Sequence, residues 1–245
     1  MSQYKNLSNI YDNLIYEDID YEKISDFIMK VAKLHNINHD KYLDLATGTG
    51  NVAKYICKHF RENFLVDLSE EMLMEAGEKV RKNKSNAKVV LQDMRYLELN
   101  RKFNLITCVL DSTNYILSTE DLKLYFNGVY NHLEDNGIFI FDINSSYKIK
   151  EVLGNNIFNY NTDEIFYSWE NYIEDDIVEM ELTFFVKEGN YYRRFEEYHR
   201  ERAYEEKELE DTISSIGFKI LGKHDDYTEA SVIPKSERIV YILKK

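Results

Sequence analysis

The stretch Asp44-Leu45-Ala46-Thr47-Gly48-Thr49-Gly50-Asn51 decides the fold of this chain. It begins within the short apolar run 42–46, which is typical of a buried strand. Its last residue begins the segment 51–60, which has a helical pattern. Glycines at such a junction let the backbone turn tightly and approach a ligand, and the following helix presents unpaired N–H groups. The stretch therefore predicts a strand–turn–helix unit that binds a ligand, although a tight turn without a ligand remains an alternative.

Strands and helices alternate around this turn. Further strands are predicted from apolar runs at 63–67, 87–92, 103–110 and 137–143. Helices are predicted at 4–34, 70–82 and 120–133. Strands that are apolar almost throughout are typical of a parallel sheet with helices on both faces. We therefore predict an α/β fold, a Rossmann-like doubly wound sheet that is mostly parallel.

The pattern changes after the fifth predicted strand. Residues 165–204 are rich in alternating aromatic and β-branched residues, and Glu188-Gly189-Asn190 is typical of a hairpin turn. We interpret 146–204 as an antiparallel β insertion that forms a lid or substrate subdomain. Residues 1–145 and 205–245 then form the ligand-binding domain. Its last part is predicted to hold one helix and two strands, at 205–215, 218–223 and 238–243.

Composition restricts the classes of function. The 245 residues carry a formal net charge of −13, which disfavours a nucleic-acid partner because phosphate contacts need a basic surface. The polar N-terminus and the short apolar runs predict a cytoplasmic protein without a membrane partner. Cys57 and Cys108 lie in apolar patterns and are interpreted as core residues. The histidines show no ligand spacing, so we predict no metal site.

Three acidic residues end three successive predicted strands, namely Asp44, Asp67 and Asp93. The carboxyl ends of parallel strands form the edge where open α/β sheets bind ligands, and Asp67 can accept both hydroxyls of a ribose there. Residues 48–53 also fit a dinucleotide-binding pattern. Asp44, however, would repel a pyrophosphate and suits a ligand with a positively charged amino group. Asp93 can accept from an adenine amino group, or it is a helix cap or a solvated loop residue.

These motifs resemble, in order, those of class I S-adenosylmethionine-dependent methyltransferases. The matching segments are Asp44 to Gly50, Asp67-Leu68-Ser69, Gln92-Asp93 and Leu110-Asp111-Ser112-Thr113-Asn114. The closest resemblance is to small-molecule methyltransferases with a β insertion after the fifth strand, including the amino-sugar N-methyltransferases. Ala46 departs from the family pattern, which usually has a glycine at this position.

The resemblance implies methyl transfer from S-adenosylmethionine to a small-molecule acceptor, with an amine as one candidate. It implies that Asp67 holds the ribose, Asp93 and Met94 the adenine, and the residues after the fourth strand the methionine part. The full implied set of cofactor-binding residues is Tyr11, Tyr21, Asp44, Ala46, Gly48, Gly50, Asp67, Leu68, Asp93, Met94, Leu110 and Asp111. A nicotinamide-dependent oxidoreductase and a non-catalytic protein that binds an adenosyl ligand remain alternatives.

The acceptor site is predicted from residues after the later strands and in the insertion. Alternation over 197–202 puts Glu197, His199 and Glu201 on one face of a strand. His199 and Tyr115 are the candidate catalytic residues, since a nearby base helps an acceptor to lose its proton. A solvated strand face is the alternative for His199. Candidate substrate contacts are Asn114, Asn144, Trp169, Arg194 and Arg202.

Overall fold

A computed structural model of the chain describes residues 19–245. Its strands are β1 (Lys41–Leu45), β2 (Glu62–Asp67), β3 (Lys88–Leu91), β4 (Phe103–Cys108), β5 (Leu133–Asn144), β6 (Ile157–Asn161), β7 (Ile165–Glu174), β8 (Ile177–Glu188), β9 (Tyr191–Arg202), β10 (Lys219–Asp225) and β11 (Arg238–Lys244). Its α-helices are α1 (Tyr21–Leu34), α2 (Ala53–Ile56), α3 (Glu70–Lys82), α4 (Thr119–His132) and α5 (Glu206–Ile216). A 3-10 helix spans Ser112–Tyr115 and a π-helix spans Lys148–Leu153.

The central sheet has seven strands in the order β3-β2-β1-β4-β5-β11-β10. Strands β1 to β5 pair in parallel, whereas β11 runs antiparallel to both β5 and β10. The order reverses between β1 and β4, so this is the switch point where a doubly wound sheet leaves a crevice for a ligand. The predicted Rossmann-like, mostly parallel sheet is confirmed.

Helices cover the sheet on both faces. Strand β1 shows the alternation, because Tyr42 packs with α1 to α3 while Leu43 and Leu45 pack with α4 and α5. Helix α1 buries Ile24 and Ile28 toward the sheet, at helical spacing. Burial on both faces explains why these strands contain so few polar residues.

Some element boundaries differ from the predicted ones. The helix predicted at 51–60 is the short α2 followed by a 3-10 turn at Cys57–His59, so the chain tightens at its end. Helix α1 begins at Tyr21, where the Asp20 side chain accepts the Lys23 N–H at 2.9 Å. Residues 4–18 of the predicted helix lie outside the described residues. Strand β5 begins at Leu133, earlier than the predicted residue 137.

The segment after β5 forms a second, four-stranded antiparallel sheet in the order β6-β7-β8-β9. The predicted antiparallel insertion is therefore confirmed, and Gly189, with a φ of +67°, lies in the predicted hairpin turn between β8 and β9. The register pairs Glu197, His199 and Glu201 of β9 with Leu182, Met180 and Val178 of β8. The apolar part of this face packs on Ile149 and Leu153 of the π-helix.

The two glycines of the first turn differ in what surrounds them. Both have a positive φ, +54° for Gly48 and +76° for Gly50, which strains any other residue. A Cβ at Gly50 would lie 2.8 Å from the Cβ of Ala76 on α3, whereas a Cβ at Gly48 would meet nothing within 4 Å. Gly50 thus lets α3 pack against the turn.

This difference gives a testable prediction for Gly50→Ala, with Gly48→Ala as the matched control. Both variants place alanine at a positive φ, but only Gly50→Ala also overpacks the contact with α3. We expect the free energy of unfolding to fall by about 1–3 kcal/mol more in Gly50→Ala than in Gly48→Ala. Urea unfolding followed by circular dichroism measures the difference, and equal losses would contradict the packing role.

Candidate functional site

A cavity of about 570 Å³ opens at the carboxyl edge of the parallel strands. Its walls come from the loops after β1, β2, β3 and β4, from α1, and from β9 of the insertion. This volume is typical of small-molecule sites. The cavity lining includes these predicted cofactor-binding residues: Tyr21, Asp44, Ala46, Gly48, Asp67, Leu68, Asp93, Met94, Leu110 and Asp111. Gly50 lies in the same turn but outside the lining, and Tyr11 lies outside the described residues.

The turn after β1 is held by the carboxylate of Asp44. This residue is 2% exposed, and its oxygens accept from the hydroxyls of Thr47 at 2.7 Å and Thr107 at 2.5 Å. Burial raises the pKa of Asp44 to about 6. Ala46 follows with a φ of +50°, so the turn has the left-handed conformation that favours glycine even though alanine stands here. Asp44 thus presents a poorly solvated acid at the first strand end.

Asp67 connects the first and second loops of the site. Its Oδ2 accepts the backbone N–H of Gly48 at 2.8 Å, and its Oδ1 accepts the backbone N–H of Ser69 at 3.0 Å. The Ser69 side chain in turn caps α3 by accepting from Met72. Because the carboxylate also lines the cavity, it can orient the loop and meet a ligand at once.

Asp93 has a strong protein partner. Its carboxylate accepts the backbone N–H of Arg95 at 2.9 Å and pairs with the Arg95 guanidinium at 2.6 Å. This guanidinium holds the pKa of Asp93 below its ordinary value, and it also pairs with Asp121 on α4. The capping role considered for Asp93 is therefore present, and the same residue lines the cavity.

A buried ion pair shapes the loop after β4. Leu110 and Asp111 have consecutive positive φ values of +58° and +54°, and both backbone N–H groups donate to the carboxylate of Asp142, at 2.6 and 2.9 Å. Asp142 is fully buried in β5, pairs with Arg238, and accepts from the Tyr227 hydroxyl at 2.5 Å. Arg238 also reaches Asp111, at 2.7 Å.

Asp142 and Arg238 are not among the site residues predicted from the sequence. The signal was an acid within the apolar fifth strand, where a charge needs a buried partner. Arg238 begins β11, the neighbour of β5, and only the antiparallel pairing of these strands places it beside Asp142.

The two residues predicted to be catalytic, Tyr115 and His199, lie next to each other at the insertion end of the cavity. The Tyr115 hydroxyl lies 3.2 Å from Nδ1 of His199. Nε2 of His199 lies 3.0 Å from Oε2 of Glu197. All three residues line the cavity. Sequence alternation had placed Glu197 on the same strand face as His199, but without a role.

Three predicted substrate contacts instead join the insertion to the central sheet. Asn114 is fully buried and donates to the backbone carbonyls of Asn144, at 3.0 Å, and Arg202, at 2.9 Å. Asn144 donates to the Glu201 carboxyl group at 2.8 Å, and Arg202 pairs with Glu208 of α5. Asn114, Asn144 and Arg202 are absent from the cavity lining.

The other two predicted contacts also lie away from this lining. Trp169 packs against Phe158, with ring centroids 5.4 Å apart, beside the cluster that anchors the insertion. Arg194 is exposed and pairs with Glu196 at 2.5 Å. Their contacts are those of packing and of a surface ion pair.

Two further properties concern the described chain as a whole. Across residues 19–245, no group of three or more histidine, cysteine, aspartate or glutamate side chains is arranged to hold a metal ion. No helix in the described part of the chain has the length and apolar character needed to cross a membrane.

The fold and the cavity together define a class I methyltransferase architecture. The comparisons with known proteins agree. Residues 43–137 match the model of a methyltransferase domain. A protein named as a methyltransferase from Geobacillus sp. (strain WCH70) is 33% identical, over 99% of each chain. The crystal structure of an S-adenosylmethionine-dependent methyltransferase from Clostridium acetobutylicum is 50% identical, covers 99% of each chain and has a TM-score of 0.94.

This chain belongs to the S-adenosylmethionine-dependent methyltransferases, and its cofactor is S-adenosylmethionine. The resemblance found in the sequence is thereby confirmed, and the comparisons favour it over an oxidoreductase. A third relative matches 121 residues, about half of each chain, at 30% identity: the dTDP-3-amino-3,4,6-trideoxy-alpha-D-glucopyranose N,N-dimethyltransferase of Streptomyces venezuelae.

The residues of the cavity fit this cofactor. An adenosyl ligand with an amino-acid end offers two ribose hydroxyls and an ammonium group, which carboxylates can bind. Asp44 and Asp67 provide such groups at adjacent strand ends. At Gly48 the space that a Cβ would occupy is open, so a ligand can approach the backbone there.

Proposed function

We propose that this enzyme methylates a small-molecule acceptor and that the accepting atom is an amine nitrogen. The main support is the hydrogen-bond chain formed by Tyr115, His199 and Glu197, which borders the same cavity as the proposed cofactor-binding acids. An amine must lose a proton when it is methylated, and the side chains of this hydrogen-bond chain can take that proton.

The charge of the cavity supports a cationic or amine acceptor. Its described lining contains five acidic residues, which are Asp44, Asp67, Asp93, Asp111 and Glu197. Arg95 is the single arginine or lysine in that lining, and it is paired with Asp93 and Asp121. Such a field favours the binding of an ammonium or amine group. The Streptomyces venezuelae relative, whose name specifies N-methylation of an amino sugar, supports the same choice.

We assign the cofactor contacts by position. Asp67 holds the ribose, Asp93 and the Met94 backbone lie at the adenine end, and Asp44 with Asp111 lies at the methionine end. S-adenosylmethionine supplies a methyl group already activated on a sulfonium sulfur. The chain's own residues therefore align the acceptor, exclude water and remove a proton.

The proposal predicts which acceptors react. With methyl-labelled S-adenosylmethionine, dTDP-3-amino-3,4,6-trideoxy-glucose, glycine and sarcosine should be tested beside their hydroxyl counterparts. We expect labelling of at least one amine and none of its hydroxyl counterpart, as measured by product mass. Faster labelling of the hydroxyl compounds would overturn the amine assignment.

The acceptor side is tested by His199→Ala, with Arg194→Ala as a control on the same strand. We expect His199→Ala to lower the rate of methyl transfer about 100-fold because it interrupts the hydrogen-bonded groups that take up the acceptor's proton. The affinity for S-adenosylhomocysteine, measured by calorimetry, should stay unchanged in both variants. Full activity in folded His199→Ala would remove this residue from the site.

A further inference from the structure

In the hydrogen-bond chain formed by Tyr115, His199 and Glu197, each donor and each acceptor can be assigned. A carboxylate only accepts hydrogen bonds, so the 3.0 Å contact with Glu197 requires a hydrogen on Nε2 of His199. In the neutral imidazole, Nδ1 then carries the lone pair and accepts the hydroxyl proton of Tyr115, 3.2 Å away. A phenol that donates its proton in this way still has lone pairs with which to accept one.

Glu197 is well placed to fix this arrangement. Its side chain is 13% exposed and that of His199 is 26% exposed, so water competes little for the contact. The rings of Tyr115 and His199 meet edge to face, with centroids 5.9 Å apart, which restricts rotation of the imidazole. The hydrogen-bond chain joins β9 of the insertion to the 3-10 helix after β4, so both parts of the protein define its geometry.

Among the described residues, the strand neighbours of His199 do not compete with Glu197. Met180, opposite His199 on β8, is apolar and buried. Glu201, the other acid on this face of β9, is buried and bound by Asn144. Burial raises the pKa of Glu201, which favours the neutral form of this carboxyl group.

We propose that Glu197 is a positioning residue for methyl transfer: through His199 it makes the Tyr115 oxygen the group that takes the proton of the methyl acceptor. This inference rests on the function proposed above. The acceptor's lone pair forms the bond to the methyl carbon, and the electron pair of the broken carbon–sulfur bond stays on sulfur. The acceptor's proton passes to the Tyr115 oxygen, the Tyr115 proton passes to Nδ1 of His199, and Glu197 stabilises the resulting imidazolium.

The tautomer of His199 tests the proposal without any acceptor. The full chain, labelled with ¹⁵N-histidine and saturated with S-adenosylhomocysteine, is compared with Glu197→Gln in long-range ¹H–¹⁵N spectra. His199→Gln assigns the signal. Glu196→Gln is the matched control, because Glu196 is adjacent on β9 and pairs with exposed Arg194. We expect a protonated Nε2 in the wild type and in Glu196→Gln, and loss of this single tautomer in Glu197→Gln. A protonated Nδ1 in the wild type would overturn the proposal.

Turnover gives the second measurement, with the amine that the enzyme labels fastest among dTDP-3-amino-3,4,6-trideoxy-glucose, glycine and sarcosine. Glu197→Gln should lower kcat about 100-fold while KM changes less than about threefold, and Glu196→Gln should match the wild type. Wild-type kcat in Glu197→Gln would refute the positioning role. If none of the three amines is methylated, the proposed amine function fails, whereas the spectra still decide whether Glu197 sets the tautomer.

Discussion

Asp142→Asn is expected to lower the free energy of unfolding by about 3–5 kcal/mol, the usual cost of removing one partner of a buried ion pair. The variant leaves Arg238, whose side chain is 16% exposed, without its main counter-charge. An amide also has one acceptor oxygen for the two N–H groups of Leu110 and Asp111, so the strained loop after β4 loses its anchor. We therefore also expect weaker binding of S-adenosylhomocysteine.

Urea unfolding and calorimetry measure the two effects. Asp226→Asn is the control, because Asp226 forms an ion pair with Lys23 in which both side chains are 44% exposed. Removing such a surface pair costs about 0–1 kcal/mol. A loss in Asp142→Asn no larger than in this control would show that the buried pair does not anchor the loop.

Asp67→Ala should weaken the binding of S-adenosylhomocysteine by about 1.5–3 kcal/mol, equivalent to roughly 10- to 150-fold in Kd. The variant removes the proposed acceptor of the ribose hydroxyls and also the bonds to the backbone of Gly48 and Ser69. Asp67 is only partly buried at an open strand end, so the fold should persist.

Two further variants sharpen this test by calorimetry. Asp67→Asn keeps one acceptor oxygen, so its affinity should lie between those of the wild type and Asp67→Ala. Glu62→Gln changes the acid at the opposite end of β2, which pairs with Arg101, and should leave the affinity unchanged. An unchanged Kd in folded Asp67→Ala would remove Asp67 from the ribose site.

Much of the cofactor side could be predicted because its signals are local. Asp44 and Asp67 lie at or next to the last residue of an apolar strand, and in a parallel sheet the ends of such strands share one edge. The turn between Asp44 and Gly50 has positive φ values at three alternate positions, 46, 48 and 50, and glycines mark the last two of them in the sequence. Even the insertion is visible, because alternation with a period of two differs from the fully apolar strands.

The acceptor side depended more on contacts between distant segments. Sequence alternation placed His199 on a strand face together with Glu197, but its approach to Tyr115, 84 residues away, follows from how the insertion packs on the loop after β4. Asn114 and Arg202, which are predicted to contact substrate, bind other parts of the protein in the structure, because buried polar groups are satisfied by whatever partner the fold brings near.

The sequence by itself therefore determined the order of strands and helices, the glycine-containing turn after the first strand and the acids at the strand ends. Periodicity and the conformational freedom of glycine act within a few residues, and both can be recognised in a linear chain. Only the tertiary structure decided that Gly50 makes room for α3 and that Asp142 pairs with Arg238, 96 residues away. These contacts depend on which elements become neighbours, and that is settled by the packing of the whole domain.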